Sequence, residues 1–265
     1  MERIAWHELP PAARVAVQEH VGSVLTATGI ADGLTCQLAA RLDAPGGPVF
    51  VKGVRVDDAH GSHAQRYEAA VAPLVVAVGA RLRAVVTAAG WELLVFDWID
   101  GRHADLSPGS PDLTAVADVL AAAQAIRAPD GLPVPQLADR LAPYLGAGGR
   151  ELLRGEALLH TDTNPHNLLV GSGRAWMIDW AMVAAGPAWV DVAYTAVRLM
   201  EDGCSVVAAL DWAGQFPAWR VADPAAVEAL VGATCRRWES LVGADLARSS
   251  NARFEALAHR RGMLA

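Results

Sequence analysis

The stretch LLHTDTNPHNLLVGSGRAWMID, residues 158–179, constrains the fold of this chain more than any other part of its sequence. Two short apolar runs flank a Gly-Ser-Gly triplet, a pattern that predicts a tight β-hairpin. Polar side chains stand at both outer ends of this hairpin: His160, Asp162 and Asn167 before its first strand, and Asp179 after its second. Buried polar groups are unfavourable unless a partner satisfies them, so this concentration indicates a functional site.

The hairpin should bring some of these polar groups together. Because the start of its first strand lies near the end of its second, we expect Asn167 and Asp179 side by side, with Asp162 on the preceding loop. Two carboxylates and an amide oxygen are hard ligands that suit Mg²⁺ bound to phosphate. The spacing His-x-Asp-x₄-Asn, followed twelve residues later by Asp, also agrees with the protein-kinase signature. The sequence therefore predicts phosphoryl transfer.

The lysine content of the chain points to a second part of the same site. Of the 22 basic residues, Lys52 is the single lysine, and it lies in the β-prone run PVFVKGV. Glu68 follows sixteen residues later in the helical run QRYEAAV. Kinases use a strand lysine to contact the α- and β-phosphates and a glutamate of the next helix to pair with it. Since lysine is a compact point charge and arginine a broad fork, we expect this pair to clamp phosphate.

The order of predicted elements divides the chain into two lobes. Before a hinge at 99–112, rich in Gly, Pro and Asp, we predict helices at 10–21 and 63–78 and strands at 23–27, 35–42, 48–55, 82–88 and 91–98. Beyond the hinge, apart from the hairpin, we predict helices at 112–127, 134–146, 188–201, 204–217, 223–242 and 249–262. Residues 1–98 are thus expected to form a nucleotide-binding lobe, and residues 99–265 a catalytic and acceptor-binding lobe.

Composition argues against several other classes of protein. The net charge is −7 and no cluster of basic residues appears, so neither nucleic acid nor an anionic membrane is an expected partner. Three widely spaced cysteines, Cys36, Cys204 and Cys235, fit a reducing cytoplasm better than a disulfide framework. The first residues lack the apolar run of a signal peptide. We expect a cytoplasmic protein that is a monomer or homodimer.

Taken together, these motifs resemble the aminoglycoside phosphotransferase family of small-molecule kinases. That family's catalytic loop reads close to H-G-D-x-x-P-x-N and its metal motif is often I-D-W or I-D-F, whereas this chain has HTDTNPHN and IDW. The similarity runs in order over essentially the whole chain, through DGRHADL to PAWVDVAY. Protein kinases are a poorer match, because residues 180–187 leave no room for the activation loop that supports a peptide substrate.

The resemblance implies an α+β, protein-kinase-like two-lobed fold, with a small β-sheet N-lobe containing one helix and a larger, mainly helical C-lobe. It implies ATP as phosphate donor, with GTP possible, and Mg²⁺ as the metal cofactor. The implied reaction is transfer of the γ-phosphate to a hydroxyl of a small molecule.

Carried over position by position, the resemblance also implies individual roles. Asp162 would be the catalytic base that accepts or orients the acceptor's hydroxyl proton, and Asn167 and Asp179 would bind Mg²⁺. Lys52 and Glu68 would clamp the phosphates. The remaining implied roles are support of the catalytic loop by His160, through backbone near Asp179, and by Asp191, and nucleotide binding by Gly29, Gly33, Phe96 and Trp98.

Three departures from the family pattern bear on the substrate and the phosphate-binding turn. Thr161 replaces the usual glycine after the catalytic histidine, and Ala181 stands after IDW where an acid is frequent. The turn TGIADGL lacks the full G-x-G-x-x-G pattern. The altered turn bears on how the γ-phosphate is held and on the choice between ATP and GTP. An unusual acceptor would fit the change at Ala181, and the candidate acceptor contacts are Trp180, Glu201 and Asp202.

Two alternatives from other classes remain open at this point. His160, Asp162 and His166 could be the ligands of a zinc hydrolase, although this leaves the lysine pair unexplained. The chain could also bind a nucleotide without transferring phosphate. For a kinase, the first choice of acceptor is an aminoglycoside or another antibiotic, and the second is a metabolite such as an amino sugar or amino alcohol, or a macrolide.

Overall fold

The computed structural model describes residues 3–31 and 36–264, which divide into two compact units. The first unit comprises Met1–Arg102 together with Trp176–Met182, and the second comprises His103–Ala175 and Val183–Ala265. The seven residues 176–182, which contain the IDW motif, thus pack with the N-terminal part of the chain.

The first unit is built around a five-stranded antiparallel sheet. Its elements are α1 (Pro11–Val21), β1 (Thr26–Gly29), β2 (Leu38–Asp43), β3 (Val49–Arg55), α2 (Ala59–Val75), β4 (Leu82–Ala88) and β5 (Trp91–Asp97). The strand order is β1-β2-β3-β5-β4, and every neighbouring pair is antiparallel. All five strands predicted for the N-terminal lobe are therefore present, with ends shifted by up to three residues.

The two faces of this sheet have different partners. Val49 and Val51 of β3 are buried in a core cluster with residues of α1 such as Val17. Since side chains alternate along a strand, Phe50 and Lys52 point to the opposite face. That face also meets α2, which contacts β3, β4 and β5.

Helix α2 begins earlier than the sequence suggested. It is predicted at 63–78 but spans Ala59–Val75, because the Asp58 side chain caps it by accepting a 2.9 Å hydrogen bond from the Gly61 amide. Pro73 lies in its last turn without ending it earlier.

The second unit is mainly helical and contains short strands. Its elements are β6 (Arg102–His103), α3 (Asp112–Gln124), α4 (Leu137–Arg140), α5 (Gly149–Leu152), β7 (Ala157–Leu159), β8 (Leu168–Gly171), β9 (Arg174–Met177), β10 (Ala184–Gly186), α6 (Val190–Glu201), α7 (Val206–Ala213), α8 (Pro217–Arg220), α9 (Pro224–Val242) and α10 (Ala244–Leu264). Strands β6 and β9 each contain residues of both units. Helix α6 is buried along most of its length, so it forms the centre of this unit.

The predicted hairpin is confirmed. Strands β8 and β9 are neighbours in a three-stranded sheet of order β6-β8-β9. Ser172 and Gly173, the two residues between them, have φ angles of 50° and 75°. Positive φ at both central residues is the type I′ geometry that suits a two-residue hairpin.

Three helix predictions in this unit were wrong in extent. The segment 134–146 holds only α4 and a 3-10 turn at Ala142–Tyr144, since Pro143 and the following glycines interrupt the helix. The segment 204–217 holds only α7, which ends at Ala213, and the separate helix α8 begins at its last residue, Pro217. Helix α10 begins five residues before its predicted start, directly after Gly243, which has a φ of 86°.

The three cysteines are free thiols, as expected. No helix in the described part of the chain has both the length and the apolar character needed to cross a membrane.

Candidate functional site

Lys52 is held between two carboxylates in the first unit. Its side chain is 7% exposed, its Nζ forms an ion pair with Glu68, and Nζ lies 2.7 Å from Oδ1 of Asp179. The predicted ion pair between Lys52 and Glu68 is therefore present. Asp179 adds a third charged group that comes from a distant part of the chain.

Burial and neighbouring charges shift the pKa values of Lys52 and Glu68. Burial alone would lower the pKa of Lys52, but the carboxylates of Asp179 and Glu68 raise it above its ordinary value. Burial raises the pKa of Glu68 to about 7; Lys52 opposes this shift and Asp179 adds to it. One ammonium thus faces two carboxylates, of which Asp179 is the more accessible, with 28% of its side chain exposed.

The loop that carries Asp179 is fixed to the sheet unit by backbone contacts. The Met177 amide donates a 2.7 Å hydrogen bond to the Val78 carbonyl, and the indole N–H of Trp180 donates to the Met177 carbonyl at 3.0 Å. Asp179 itself has a φ of 62°, a left-handed conformation that aspartate tolerates better than most residues. These contacts place its carboxylate beside Lys52.

Gly79 permits this close approach, and the sequence analysis did not identify it. A Cβ at this position would lie 2.8 Å from the Met177 carbonyl oxygen and 3.3 Å from Trp180 Nε1. No side chain can be accommodated there without moving backbone. The only sequence signal is a glycine between α2 and β4, which by itself indicates no more than a turn.

In the second unit, Asp191 binds the loop that follows β7 and carries the motif HTDTNPHN. Its Oδ2 accepts a 2.7 Å hydrogen bond from the His160 amide, and its Oδ1 accepts a 2.8 Å hydrogen bond from the Thr161 amide. Burial raises the pKa of Asp191 above its ordinary value, while the His160 ring and these two amides oppose the rise. Asp191 thus makes the loop contact that the resemblance implied.

Two further contacts tie the loop to its surroundings. The hydroxyls of Thr163 and Thr195 lie 2.9 Å apart, and Thr195 also contacts the Asp191 carbonyl in the same helix. His160 is fully buried and its Nδ1 accepts a 3.3 Å hydrogen bond from the Asp162 amide. The contact predicted between His160 and backbone near Asp179 stays a prediction.

Asp162 and Asn167 are in direct contact. The Asn167 amide nitrogen donates to the Asp162 carbonyl at 2.9 Å and to Asp162 Oδ2 at 3.0 Å. Asn164 donates to the other carboxylate oxygen, Oδ1, at 2.8 Å. The side-chain nitrogen of Asn167 faces Asp162. The side-chain oxygen of Asn167 is therefore the atom that can bind a cation.

The structure places the predicted metal ligands in separate units. Asp162 and Asn167 belong to the second unit, whereas Asp179 belongs to the first. Their convergence on one Mg²⁺ therefore stays a prediction. Carboxylate and amide oxygens are the donors that fit this ion, so Asp179 and Asn167 are suitable by chemistry.

The zinc-hydrolase alternative gains no support. Within the described ranges, no three His, Cys, Asp or Glu side chains are grouped to hold a metal ion. His166 is exposed, and its ring packs edge-on against His103 with centroids 5.1 Å apart.

The residues predicted to bind the nucleotide lie along the sheet and hinge. Gly29 ends β1 in an exposed position where a Cβ would meet nothing within 4 Å, and Gly33 lies outside the described residues. Phe96 is buried, and Trp98 is half-buried with the guanidinium of Arg41 lying 4.9 Å from its ring centre. Their contact with a nucleotide stays a prediction.

Phe50 is a candidate that the sequence analysis missed. It lies two residues before Lys52 on the same face of β3 and pairs with Phe96 of β5. Period-two spacing from Lys52 was the signal that could have identified it.

The three acceptor candidates occupy different environments. Trp180 is buried and its indole N–H is bonded to Met177. Glu201 ends α6 and forms an ion pair with Arg198 at 2.6 Å, and Asp202 follows it in an exposed position. Their role toward an acceptor stays a prediction.

Part of this chain is similar to a known family of phosphotransferases. Residues 133–228 match the model of the phosphotransferase enzyme family APH, a range that includes both the catalytic-loop and the metal motif. Among curated protein sequences, none matches.

Similar solved structures cover nearly the whole chain. Choline kinase LicA from Streptococcus pneumoniae has a TM-score of 0.64 at 12% identity, covering 92% of this chain and 98% of its own. Aminoglycoside phosphotransferase APH(4)-Ia, solved with AMP-PNP and hygromycin B, has a TM-score of 0.60 at 15% identity, with coverages of 92% and 96%. Plasmodium vivax ethanolamine kinase has a TM-score of 0.61 at 9% identity, with coverages of 88% and 82%.

These matches confirm the protein-kinase-like α+β fold and the resemblance to aminoglycoside phosphotransferases. The chain is thus similar to small-molecule kinases. The similar structures include kinases of different acceptors, so the likeness leaves the acceptor open.

Proposed function

We propose that this protein transfers the γ-phosphate of ATP to a hydroxyl group of a small molecule, with Mg²⁺ as cofactor. The observation that carries the proposal is the position of Lys52 between Glu68 and Asp179. These residues come from a strand, a helix and a distant loop, and this is the combination that kinases use to bind phosphate and metal.

For the nucleotide, we propose that the base lies on the face of the sheet that carries Lys52. Phe50 and Phe96 form a cross-strand pair on this face, and they offer an apolar surface to an aromatic ring. The amides of Asp97 and Trp98 already donate to the carbonyls of Arg81 and Pro48. The next hinge amide, that of Ile99, is therefore the donor that we propose for the edge of the base.

Lys52 would bind the α- and β-phosphates, and Glu68 would keep its ammonium in place. Asp179 and Asn167 would hold the metal, which when bound neutralises charge that develops on the phosphoryl group. Asp179 contacts Lys52 directly, so the same carboxylate would link the lysine to the metal site.

Asp162 would accept the proton of the acceptor hydroxyl or orient that hydroxyl for attack. Each of its carboxylate oxygens accepts one amide hydrogen bond, from Asn164 and from Asn167, and these bonds fix the plane of the carboxylate. A carboxylate has about four lone-pair sites, so both oxygens keep capacity for another proton donor. Positioned groups of this kind typically contribute on the order of 10²–10⁴-fold to a rate.

As acceptor we propose first an aminoglycoside or another antibiotic, which would give the protein a role in antibiotic resistance. The second choice is an amino sugar, an amino alcohol or a macrolide. The first is supported by the likeness to APH(4)-Ia and the second by the likeness to choline and ethanolamine kinases.

The test is a screen for ADP release from ATP against these acceptor classes, with and without Mg²⁺, followed by mass spectrometry of each candidate product. We expect one class to give Mg²⁺-dependent ADP release and a product heavier by one phosphoryl group. Nucleotide binding without transfer to any acceptor would favour the binding-protein alternative. Protection of a susceptible host from an antibiotic would distinguish resistance from metabolism.

A further inference from the structure

The backbone of the catalytic loop is strained at Thr161. This residue lies between His160 and Asp162 and has a φ of 63°. Glycine adopts a left-handed conformation freely, but a β-branched residue does so only where its surroundings impose it. Such strain persists at functional sites when neighbouring contacts over-determine the conformation.

Two sets of contacts impose this conformation. The Thr161 amide donates to Asp191 Oδ1, a bond that any residue at this position could make. The Thr161 hydroxyl accepts a 2.9 Å hydrogen bond from Nη1 of Arg140, a bond that requires the side chain. The second contact is therefore specific to a hydroxyl-bearing residue.

Arg140 binds two segments of the chain at once. It ends α4, whose Leu137 and Ala138 are buried, so the base of its side chain is anchored. Its Nη2 donates to the carbonyl of Val183, a fully buried residue that directly follows the loop Trp176–Met182. The planar guanidinium has donors at fixed relative positions, which a lysine could not reproduce.

We propose that Arg140 is a positioning residue for phosphoryl transfer. By binding the Thr161 hydroxyl and the Val183 carbonyl, it stabilises the left-handed turn that orients the Asp162 carboxylate. In this role Arg140 acts through Thr161, the residue that precedes Asp162. The catalytic part of this inference rests on the proposed kinase function.

The proposal predicts that Arg140 and Thr161 depend on each other. Four proteins form the test: the wild type, Arg140→Ala, Thr161→Gly and the double variant. With threonine kept at position 161, we expect Arg140→Ala to lower kcat at least about tenfold, because the strained turn relaxes. In the Thr161→Gly background, the same change should lower kcat less than about threefold, because glycine needs no support there. An equal loss in both backgrounds would overturn the proposal.

The kinetic constants separate positioning from other roles. We expect KM for ATP to change less than about threefold in Arg140→Ala, since the Lys52 cluster is in the other unit. Arg140→Lys should fall between the wild type and Arg140→Ala, because it can keep one contact but not both. Arg150→Ala is the matched control: this arginine pairs with the neighbouring Asp139 on the surface, and its removal should leave kcat unchanged.

Thr161→Val supplies a test that leaves Arg140 in place. Valine keeps the β-branched shape, and therefore the strain, but lacks the hydroxyl. We expect its kcat to fall between those of the wild type and Arg140→Ala, because Arg140 keeps its bond to the Val183 carbonyl. Wild-type kcat in Thr161→Val would refute the role of the bond to the hydroxyl.

Failure of the kinase proposal gives a different result. A wild-type protein that transfers phosphate to no acceptor would overturn the proposed function and the catalytic part of this inference. Denaturant unfolding of the same four proteins needs no substrate. If the effects of Arg140→Ala and Thr161→Gly on unfolding are additive, the structural coupling itself is refuted.

Discussion

Lys52 Nζ lies 2.7 Å from Asp179 Oδ1, although 127 residues separate them in the sequence. Both belong to the first compact unit, because the loop Trp176–Met182 packs there, whereas the residues directly before and after this loop belong to the second unit. A buried ammonium and the metal-motif carboxylate are thus in direct contact. Several consequences of this arrangement can be measured.

Lys52→Arg should lower kcat/KM for ATP by roughly 100-fold or more, although it keeps the positive charge. The lysine side chain is only 7% exposed and already contacts two carboxylates, so a broad guanidinium has no room without displacing one of them. Steady-state kinetics with Mg²⁺-ATP measure the effect. Arg127→Lys, in the exposed ion pair with Glu156, is the control and should behave as wild type. Normal activity of Lys52→Arg would show that a compact cation is not required.

Asp162→Asn should reduce transfer by on the order of 10²–10⁴-fold while leaving ATP affinity within about threefold. Asparagine keeps the size of the side chain but cannot accept the hydroxyl proton. Product formation and nucleotide titration, measured on the same preparation, separate the two effects. Asp139→Asn changes an exposed aspartate of the same unit and should affect neither. Transfer at the wild-type rate would exclude Asp162 as the base.

Spacing along the chain was enough to predict several of these contacts. The residues around Lys52 have the pattern of a strand, and those around Glu68 have the pattern of a helix. The interval between the two residues predicts an ion pair, and this ion pair is present. Asp191 likewise contacts the loop, and Ser172 and Gly173 form the expected turn. Such features follow from local periodicity and from motif spacing, which a single sequence records.

Other features depend on tertiary contacts that no local pattern encodes. The support of Thr161 by Arg140 joins segments that the sequence does not relate, and the segment around Arg140 was wrongly predicted as one long helix. The loop Trp176–Met182 packs in the first unit, where the Met177 carbonyl lies too close to Gly79 to admit a side chain. This contact is evident only from the three-dimensional structure. Trp180 is buried, but its sequence context does not distinguish a buried tryptophan from one that lines an acceptor pocket.

Stability should depend on pH through Glu68. Its folded-state pKa is raised from 4.5 to about 7, chiefly by burial. A raised pKa means that the contribution of Glu68 to stability is fully present below pH 4.5 and is lost as the pH rises through 7. Compared with Glu68→Gln, the wild type should therefore lose unfolding free energy over this range, by up to about 3 kcal/mol. Denaturant unfolding at several pH values measures it, and parallel curves for the two proteins would contradict the shift.

Gly79→Ala tests whether the close approach of the metal-motif loop to the turn after α2 is required. The new Cβ would lie 2.8 Å from the carbonyl oxygen of Met177, the residue two positions before Asp179, so the backbone at this point must shift. We expect a loss of about 1–3 kcal/mol in unfolding free energy. We also expect a fall in turnover, because the carboxylate is displaced from Lys52. Gly146→Ala is the matched control, since a Cβ there meets nothing within 4 Å, and it should change neither property. If Gly79→Ala were as stable and active as Gly146→Ala, the position of Asp179 would not depend on this contact.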